Sequence, residues 1–402
     1  MLKKPIIFIL SFIIFLSPSL YSFSFTSLPI WNQTLDVNTS PSIDNYLNLE
    51  SESAILIEES TGQILYEKNS NTPLRPASVT KIMSILLIME SIKNGNITLK
   101  TPVPCSEKAS SMGGSQIWLS QNETLTVHEM LKAICIASAN DCTYALAEFI
   151  SGSEELFVQK MNEKAKELGM NNTSFKNCHG LDEDGHLTTS YDIALMSREL
   201  LVKHPEIKEY SSTWIDSLRD GSSELVNTNR LIRTYNGATG LKTGSTSLAL
   251  YNLSASATRD NLSLIAVIMK APTPKIRFSE AKLLLDYGFN TYDYKLIGKK
   301  DDIFTNLAIQ KGTQDNIDLV FEKDFGVLIK KKNIDNLTQN IVINEEKMIA
   351  PIKKDEILGK IEYLSEGVLL GSVNLCSNVD IPKKSPLNYF NFICRNWLNF
   401  LR

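Results

Sequence analysis

Three runs of apolar and small residues, GLKTGST (240–246), LYNLSASA (250–257) and LSLIAVIMK (262–270), follow one another with only three or four residues between them. They predict three successive strands, the last two joined by the turn TRDN, Thr258 to Asn261. Far upstream, Ala54–Ile57 and Ile64–Tyr66 flank EESTGQ and predict a hairpin. Between these strand groups lie helical stretches: the oily run after Ser78, then 127–149, then 154–168, which Gly169 should stop. Strands at both ends with helices between them predict an α+β domain over 51–293, its first and last strands sharing one antiparallel sheet beside a helical cluster.

Beyond Tyr292 the texture changes. Short alternating stretches such as IDLVFEKDFGVLIKKK and EILGKIEYLSEGVLLGSVNLC, spaced by Gly, Asn and Asp, predict a separate small β domain over 294–383. A chain of 402 residues, 43% hydrophobic and 21% charged, has room for both. At the other end, Lys3 and Lys4 precede an apolar core from Ile6 to Leu16 and the small residues Ser17, Ser19, Ser22 and Ser24. Residues 1–24 therefore predict an export signal, with 25–50 as a polar linker. Its removal takes two lysines and no acid, moving the formal charge from −4 to −6. A mildly acidic chain argues against a nucleic-acid partner.

Ser78 and Lys81, in RPASVTKIM, stand three apart and so share a side of a helix. A serine hydroxyl is inert until a base takes its proton. Lysine can do so only when burial and nearby positive charge lower its pKa. The apolar run after Lys81 can desolvate the ammonium, and a helix start supplies positive dipole. The spacing by itself also fits a helix-capping serine and a snorkelling lysine. What raises it above that is company: Ser138-Ala139-Asn140 in IASANDC and Lys242-Thr243-Gly244 in GLKTGST follow in order, the latter opening a strand.

This ordered trio resembles the motif set of penicillin-binding proteins. With AILIEESTGQILYEKN, SSMGGSQIWL, LGMNNTSFKN and HGLDEDGHLTTSYD, the chain from Ala54 to about Phe289 is similar to the low-molecular-mass D-alanyl-D-alanine carboxypeptidases, serine peptidases that trim bacterial peptidoglycan. The resemblance implies a penicillin-binding, transpeptidase-like fold and no cofactor or metal. It casts Ser78 as nucleophile, Lys81 as base and Ser138 as proton relay to the leaving amine. Asn140 would orient substrate and Lys81, and backbone N–H groups of Ser78 and Ser245 would form the oxyanion hole. Lys242, Thr243, Gly244 and Arg277 (in KIRFSE) would meet the substrate's free carboxylate. Peptidoglycan stem peptides are the implied substrates and β-lactams the implied inhibitors.

The chain departs from the pattern in four places. Ala139 stands where many relatives have glycine, Leu250 where they usually have glycine, and Cys142 where alanine is usual, a thiol then expected beside the site. An arginine that some relatives carry upstream of K-T-G is not matched, Thr228 falling nearest and Arg230 being a candidate.

Two other functions compete. A β-lactamase would need a glutamate-held water, and the one E-x-x-x-N between the second and third motifs, Glu167 to Asn171, lies off the apolar face of its helix. A non-catalytic surface scaffold would not need Ser78, Lys81, Ser138 and Lys242 intact. His128, His179, His186 and His204 sit in no nucleophile context and are expected as surface or loop residues. The six cysteines fit no metal spacing and are expected as small buried hydrophobes. A zinc site from Cys178, His179 and His186 is disfavoured, and Asp182, Glu183 and Asp184 are expected in a solvated loop.

The tail PLNYFNFICRNWLNFLR (386–402), set on a helical wheel, gathers its asparagines and arginines on one arc and its aromatic and aliphatic residues on the rest. It is too short and too polar along one strip to span a bilayer, and predicts an interfacial amphipathic helix. The expected location is the outer face of the cytoplasmic membrane.

Overall fold

The computed structural model describes residues 47–386 and Phe390, so the expected signal segment and nearly all of the expected tail helix lie outside the described residues. The chain opens with β1 (Ser53–Glu58) and β2 (Ile64–Lys68), followed by a 3₁₀ turn at Ala77–Thr80 that runs into α1 (Lys81–Lys93). Short elements follow: β3 (Pro102–Pro104), α2 (Glu107–Ser110) and β4 (Thr124–Thr126). The helical cluster continues through α3 (Val127–Lys132), α4 (Asn140–Ser151), α5 (Glu154–Glu167), α6 (Ser190–Lys203) and α7 (Lys208–Ser211). A small hairpin, β5 (Ile215–Leu218) and β6 (Ser223–Val226), and one turn of helix, α8 (Leu231–Thr234), lead to β7 (Ala238–Thr246), β8 (Leu250–Arg259) and β9 (Leu262–Ala271). Then comes α9 (Pro274–Thr291).

The five long strands form one antiparallel sheet in the order β2-β1-β9-β8-β7, with Leu56 opposite Ala266 across β1 and β9. The first and last strands therefore do share a sheet, as the pattern predicts. Side chains alternate across a strand. Ile55, Ile57, Ile265, Val267 and Met269 accordingly join one core with the helical cluster, while Ala54, Leu56, Leu264, Ala266 and Ile268 join another with Leu284, Leu285 and Phe289 of α9. Both faces of the sheet are covered, and β7 lies at its edge.

The expected helix over 127–149 is broken. Ala133–Ala137 widen into a π turn, Ser138 adopts a left-handed φ of 65°, Ala139 is extended, and α4 restarts at Asn140. Hydrophobic spacing on either side stays helical, so periodicity alone could not reveal the break; it is the local geometry that brings Ser138 to the cleft of Ser78 and Asn140 to Lys81. Ala139, with φ −60° and ψ 115°, needs no glycine there. Leu250 does sit where glycine would be easier, at φ 54°.

The remaining elements are strands and two short 3₁₀ turns, Lys331–Asn336 and Glu345–Lys347: β10 (Tyr292–Gly298), β11 (Ile303–Ala308), β12 (Asn316–Phe321), β13 (Phe325–Lys330), β14 (Leu337–Ile343), β15 (Ile357–Ser365) and β16 (Val368–Ser377). They form a sheet in the order β11-β12-β16-β15-β14 and a β10–β13 pair around a core that includes Leu319, Phe321, Leu358, Ile361 and Leu375. A mixed α+β domain is thus followed by a β domain. Leu328 of β13 packs into the core beneath α9, and Lys331 Nζ donates to the Phe289 carbonyl at 2.7 Å.

Candidate active site

Ser78 sits in the 3₁₀ turn that leads into α1, directly after Ala77, whose φ is 50°. Residues three apart eclipse one another in a 3₁₀ turn. The Lys81 ammonium nitrogen accordingly comes to 3.1 Å from Ser78 Oγ. Lys81 is wholly buried, and it donates to Asn140 Oδ1 at 2.6 Å and to the His179 carbonyl at 2.7 Å. Among the described residues no carboxylate pairs with it. Burial foremost, then the charge of Lys242, holds its pKa well below the usual ammonium range.

Asn140 is fixed from its other end, its amide donating to the Gly113 carbonyl at 2.6 Å and its backbone N–H to the Ser115 carbonyl at 2.7 Å. Ser138 is buried, and its hydroxyl has no hydrogen-bond partner among the described residues while lining the same cleft as Ser78. An unsatisfied buried hydroxyl is costly unless a ligand completes it.

Strand β7 supplies the third group. Lys242 is buried and donates to the Thr243 carbonyl at 3.0 Å; burial, helped by Arg277, lowers its pKa to about 7. Thr243 donates its hydroxyl to Thr228 Oγ1 at 2.8 Å. At Gly244 a Cβ would stand 2.8 Å from Pro76 O and Val79 N and 2.9 Å from Ser78 N, so only glycine lets β7 lie this close to the turn that carries Ser78. Ser245 follows it on the cleft wall. Arg277, from the first turn of α9, donates to the carbonyls of Gly244 at 3.3 Å and Asn252 at 3.2 Å and stacks on Phe278 at 4.6 Å. Burial, with Arg230 adding, lowers its pKa to about 10.

All nine residues named from the sequence thus gather on one site, Ser78, Ser138, Thr243, Gly244, Ser245 and Arg277 on the wall of a cleft of about 900 Å³ and Lys81, Asn140 and Lys242 behind it. Thr228 and Arg230 both line the cleft, Thr228 through its bond to Thr243 and Arg230 near Arg277.

Sequence reasoning missed three supports. Asn252 of β8 donates to the carbonyls of Arg75 and Pro76, at 2.8 and 3.0 Å, and so holds the turn before Ser78. The His179 carbonyl holds Lys81. Gly180, at φ 93°, lies so close that a Cβ would meet the Ala77 carbonyl oxygen at 2.0 Å. The stretch HGLDEDG carried no signal beyond its likeness to the family, because a backbone carbonyl has no residue type.

Several expectations need correction. His179, His186 and His204 do lie outside helices and strands, but they are buried, and only His128 is exposed. The His179 Nδ1 accepts from Leu181 N at 3.2 Å, and burial with Lys81 drives its pKa to about 3. The His186 Nδ1 accepts from Lys176 N at 3.0 Å while Nε2 meets Thr80 Oγ1 at 2.8 Å, its pKa lowered to about 4 mainly by burial. Both are neutral supports of the loop, and neither ring reaches Ser78. The acidic run does lie in an exposed loop, as expected, where Arg75 pairs with Asp184 at 3.2 Å and donates to the Glu183 carbonyl at 3.0 Å. Cys142 is completely buried in the core, its thiol pushed well up by burial, and is no reactive neighbour of the site. Cys105, Cys135, Cys142, Cys178 and Cys376 are buried and unpaired, as small hydrophobes would be. Glu167, two-thirds exposed, pairs with Lys164 at 2.7 Å and does not line the cleft.

A sheet edge that presents K-T-G to a buried Ser-x-x-Lys pair, completed by a serine from a broken helix, defines a serine hydrolase of the penicillin-binding class. The family model for D-alanyl-D-alanine carboxypeptidase matches residues 38–273, and that for the C-terminal domain of penicillin-binding protein 5 matches 292–383. The D-alanyl-D-alanine carboxypeptidase DacF of Bacillus subtilis is 44% identical over 354 residues, 87% of this chain and 91% of the relative. Penicillin binding protein 5 from Haemophilus influenzae superposes with a TM-score of 0.74 at 28% identity, covering 83% of this chain and 98% of that one. The ampicillin-bound penicillin-binding protein D2 from Listeria monocytogenes gives a TM-score of 0.56 at 30% identity over 60% of this chain and 99% of its own. The chain belongs to the D-alanyl-D-alanine carboxypeptidase family of serine peptidases, hydrolases of the cell wall.

Proposed function

We propose that the protein removes the terminal D-alanine from peptidoglycan stem peptides through an acyl-enzyme on Ser78, and that β-lactams acylate the same hydroxyl. The observation that carries this reading is the hydrogen bonding of Lys81. A neutral amine has two N–H groups and one lone pair. Asn140 Oδ1 and the His179 carbonyl take the two N–H groups, which leaves the lone pair for the Ser78 hydroxyl proton.

Ser78 Oγ would then attack the carbonyl of the D-Ala-D-Ala bond as its proton passes to Lys81 Nζ. The backbone N–H groups of Ser78 and Ser245 receive the oxyanion. Collapse breaks the amide bond, and the proton moves from Lys81 through the unpartnered Ser138 hydroxyl to the leaving amine. Water gives a proton to Lys81 as it attacks the ester, and that proton returns to Ser78 Oγ as the shortened peptide leaves. Lys242, Thr243 and Arg277 bind the free carboxylate of the terminal D-alanine, Gly244 lets β7 come close enough, and Asn140 orients both lysine and substrate.

Mass spectrometry of a pentapeptide ending in D-Ala-D-Ala, incubated with the protein, is expected to show loss of one alanine. The same peptide amidated at its C-terminus should turn over about 10- to 100-fold more slowly, the range for losing a hydrogen bond to a charged group. Replacing Arg277 by alanine should narrow that gap. Release of a larger fragment, or equal turnover of acid and amide, would overturn the reading.

The pH profile follows from opposite demands on two lysines. Lys81 works neutral, so kcat/KM should rise as pH passes its lowered pKa; Lys242 works charged, so kcat/KM should fall above its pKa of about 7. Bound carboxylate favours the Lys242 cation, and the alkaline limb of kcat should therefore lie higher than that of kcat/KM. A profile that keeps rising through pH 9 would remove Lys242 from carboxylate binding.

The domain division at residue 293 and an exported enzyme held at the outer membrane face by residues 386–402 complete the proposal. The tail's alternation of aromatic and polar residues supports it, and no helix among the described residues is long and apolar enough to cross a membrane.

A further inference from the structure

Three arginines and no acid are found among the described residues that line the cleft. In the reading above, on which this inference rests, Arg277 and Lys242 are taken up by the substrate's C-terminal carboxylate. Arg230 and Arg233 are left over. Neither makes an ion pair with any described acid.

Their positions are nonetheless built. Asn229 donates its amide to the Gly240 carbonyl at 2.8 Å and accepts from Leu231 N at 3.1 Å, while Tyr235 donates to Asp286 at 2.8 Å, so α8 is held to β7 at one end and α9 at the other. The Arg233 guanidinium lies over the indole of Trp214, 5.8 Å from its centroid, and Trp214 itself lines the cleft. Arg230 is near enough to Arg277 for its charge to be felt there. Cations gathered in one cleft repel each other unless anions enter. A terminal carboxylate brings one negative charge to Lys242, Arg277, Arg230 and Arg233.

We propose that Arg233, seated on Trp214 with Arg230 beside it, forms a second anion subsite that takes an additional carboxylate of the substrate peptide. The preferred substrate is then a peptide with at least two carboxylates near the scissile bond. The second can come from the acyl side, on the residue before D-Ala-D-Ala, or from the leaving residue.

Two pairs of peptides separate these sources, assayed with the full-length protein at low salt. In one pair the residue before D-Ala-D-Ala carries a free or an amidated side-chain carboxylate; in the other the terminal residue is D-Glu or D-Gln. In one pair the acid is expected to have a kcat/KM about two- to five-fold above the amide, chiefly through KM, as for a partly exposed ion pair. That ratio should fall to about one in Arg233→Gln, be partly kept in Arg233→Lys, and shrink as salt rises. Calorimetric binding of the same peptides to Ser78→Ala protein reads the subsite without turnover. Preference in binding with no D-amino acid released by the intact protein would fail the carboxypeptidase reading and keep the subsite. Ratios of one in both pairs, or a preference untouched by both Arg233→Gln and Arg230→Gln, would overturn the subsite.

Discussion

The Lys81→Arg variant is expected to lose acylation of Ser78 by at least about 10³-fold, within the range that a positioned general base supplies. A guanidinium keeps its proton at any working pH. It therefore has no lone pair to turn toward Ser78 Oγ, now 3.1 Å from the lysine nitrogen. Because position 81 is wholly buried, a permanent charge there also strains the fold. Lys81→Met, apolar and of similar length, separates the two effects: it should keep a near-normal melting temperature and still fail to label with a fluorescent penicillin. Labelling of either variant at the intact rate would remove Lys81 from the mechanism.

Gly180→Ala should be nearly as damaging, from a position with no chemistry of its own. The new methyl would stand 2.0 Å from the Ala77 carbonyl oxygen and 2.9 Å from Ser78 N, at a φ of 93° that L residues rarely adopt. Overpacking and backbone strain together should cost about 2–5 kcal/mol. If the segment moves away to relieve the clash, it takes the His179 carbonyl with it and unseats Lys81, so acylation should fall even where the protein stays folded. Gly95 is the internal control: its φ is 76° and nothing lies within 4 Å of its would-be Cβ, so Gly95→Ala should show only the strain, about 1 kcal/mol, and normal acylation. Melting curves and penicillin labelling of the two variants side by side test this, and an unperturbed Gly180→Ala protein would show that the close approach is dispensable.

These two positions mark how far the sequence can be read. Lys81 announces itself by being a lysine among Ile82, Met83, Ile85 and Leu86, three residues after a serine, and the order of the three motifs names the family. Strand and helix types followed from apolar spacing, because the sheet's two faces and the helical cluster each impose their own period on the chain. The sequence by itself therefore determined the strands of the main sheet, the family, and the set of residues that meet in the cleft.

Tertiary structure decided the rest, since what matters there is carried by backbone or by distance along the chain. The carbonyl that holds Lys81 is 98 residues away and belongs to a histidine whose ring plays no part in the bond. Ser138 becomes a free hydroxyl in the cleft only because its helix breaks into a left-handed turn, a geometry that flanking helical periodicity conceals. Whether Thr228 or Arg230 serves the site depended on where α8 docks, and the fold places both there. Burial lowers the pKa of Lys81 and brings that of Lys242 to about 7, and burial is set by packing from several distant elements at once, which no local stretch of sequence specifies.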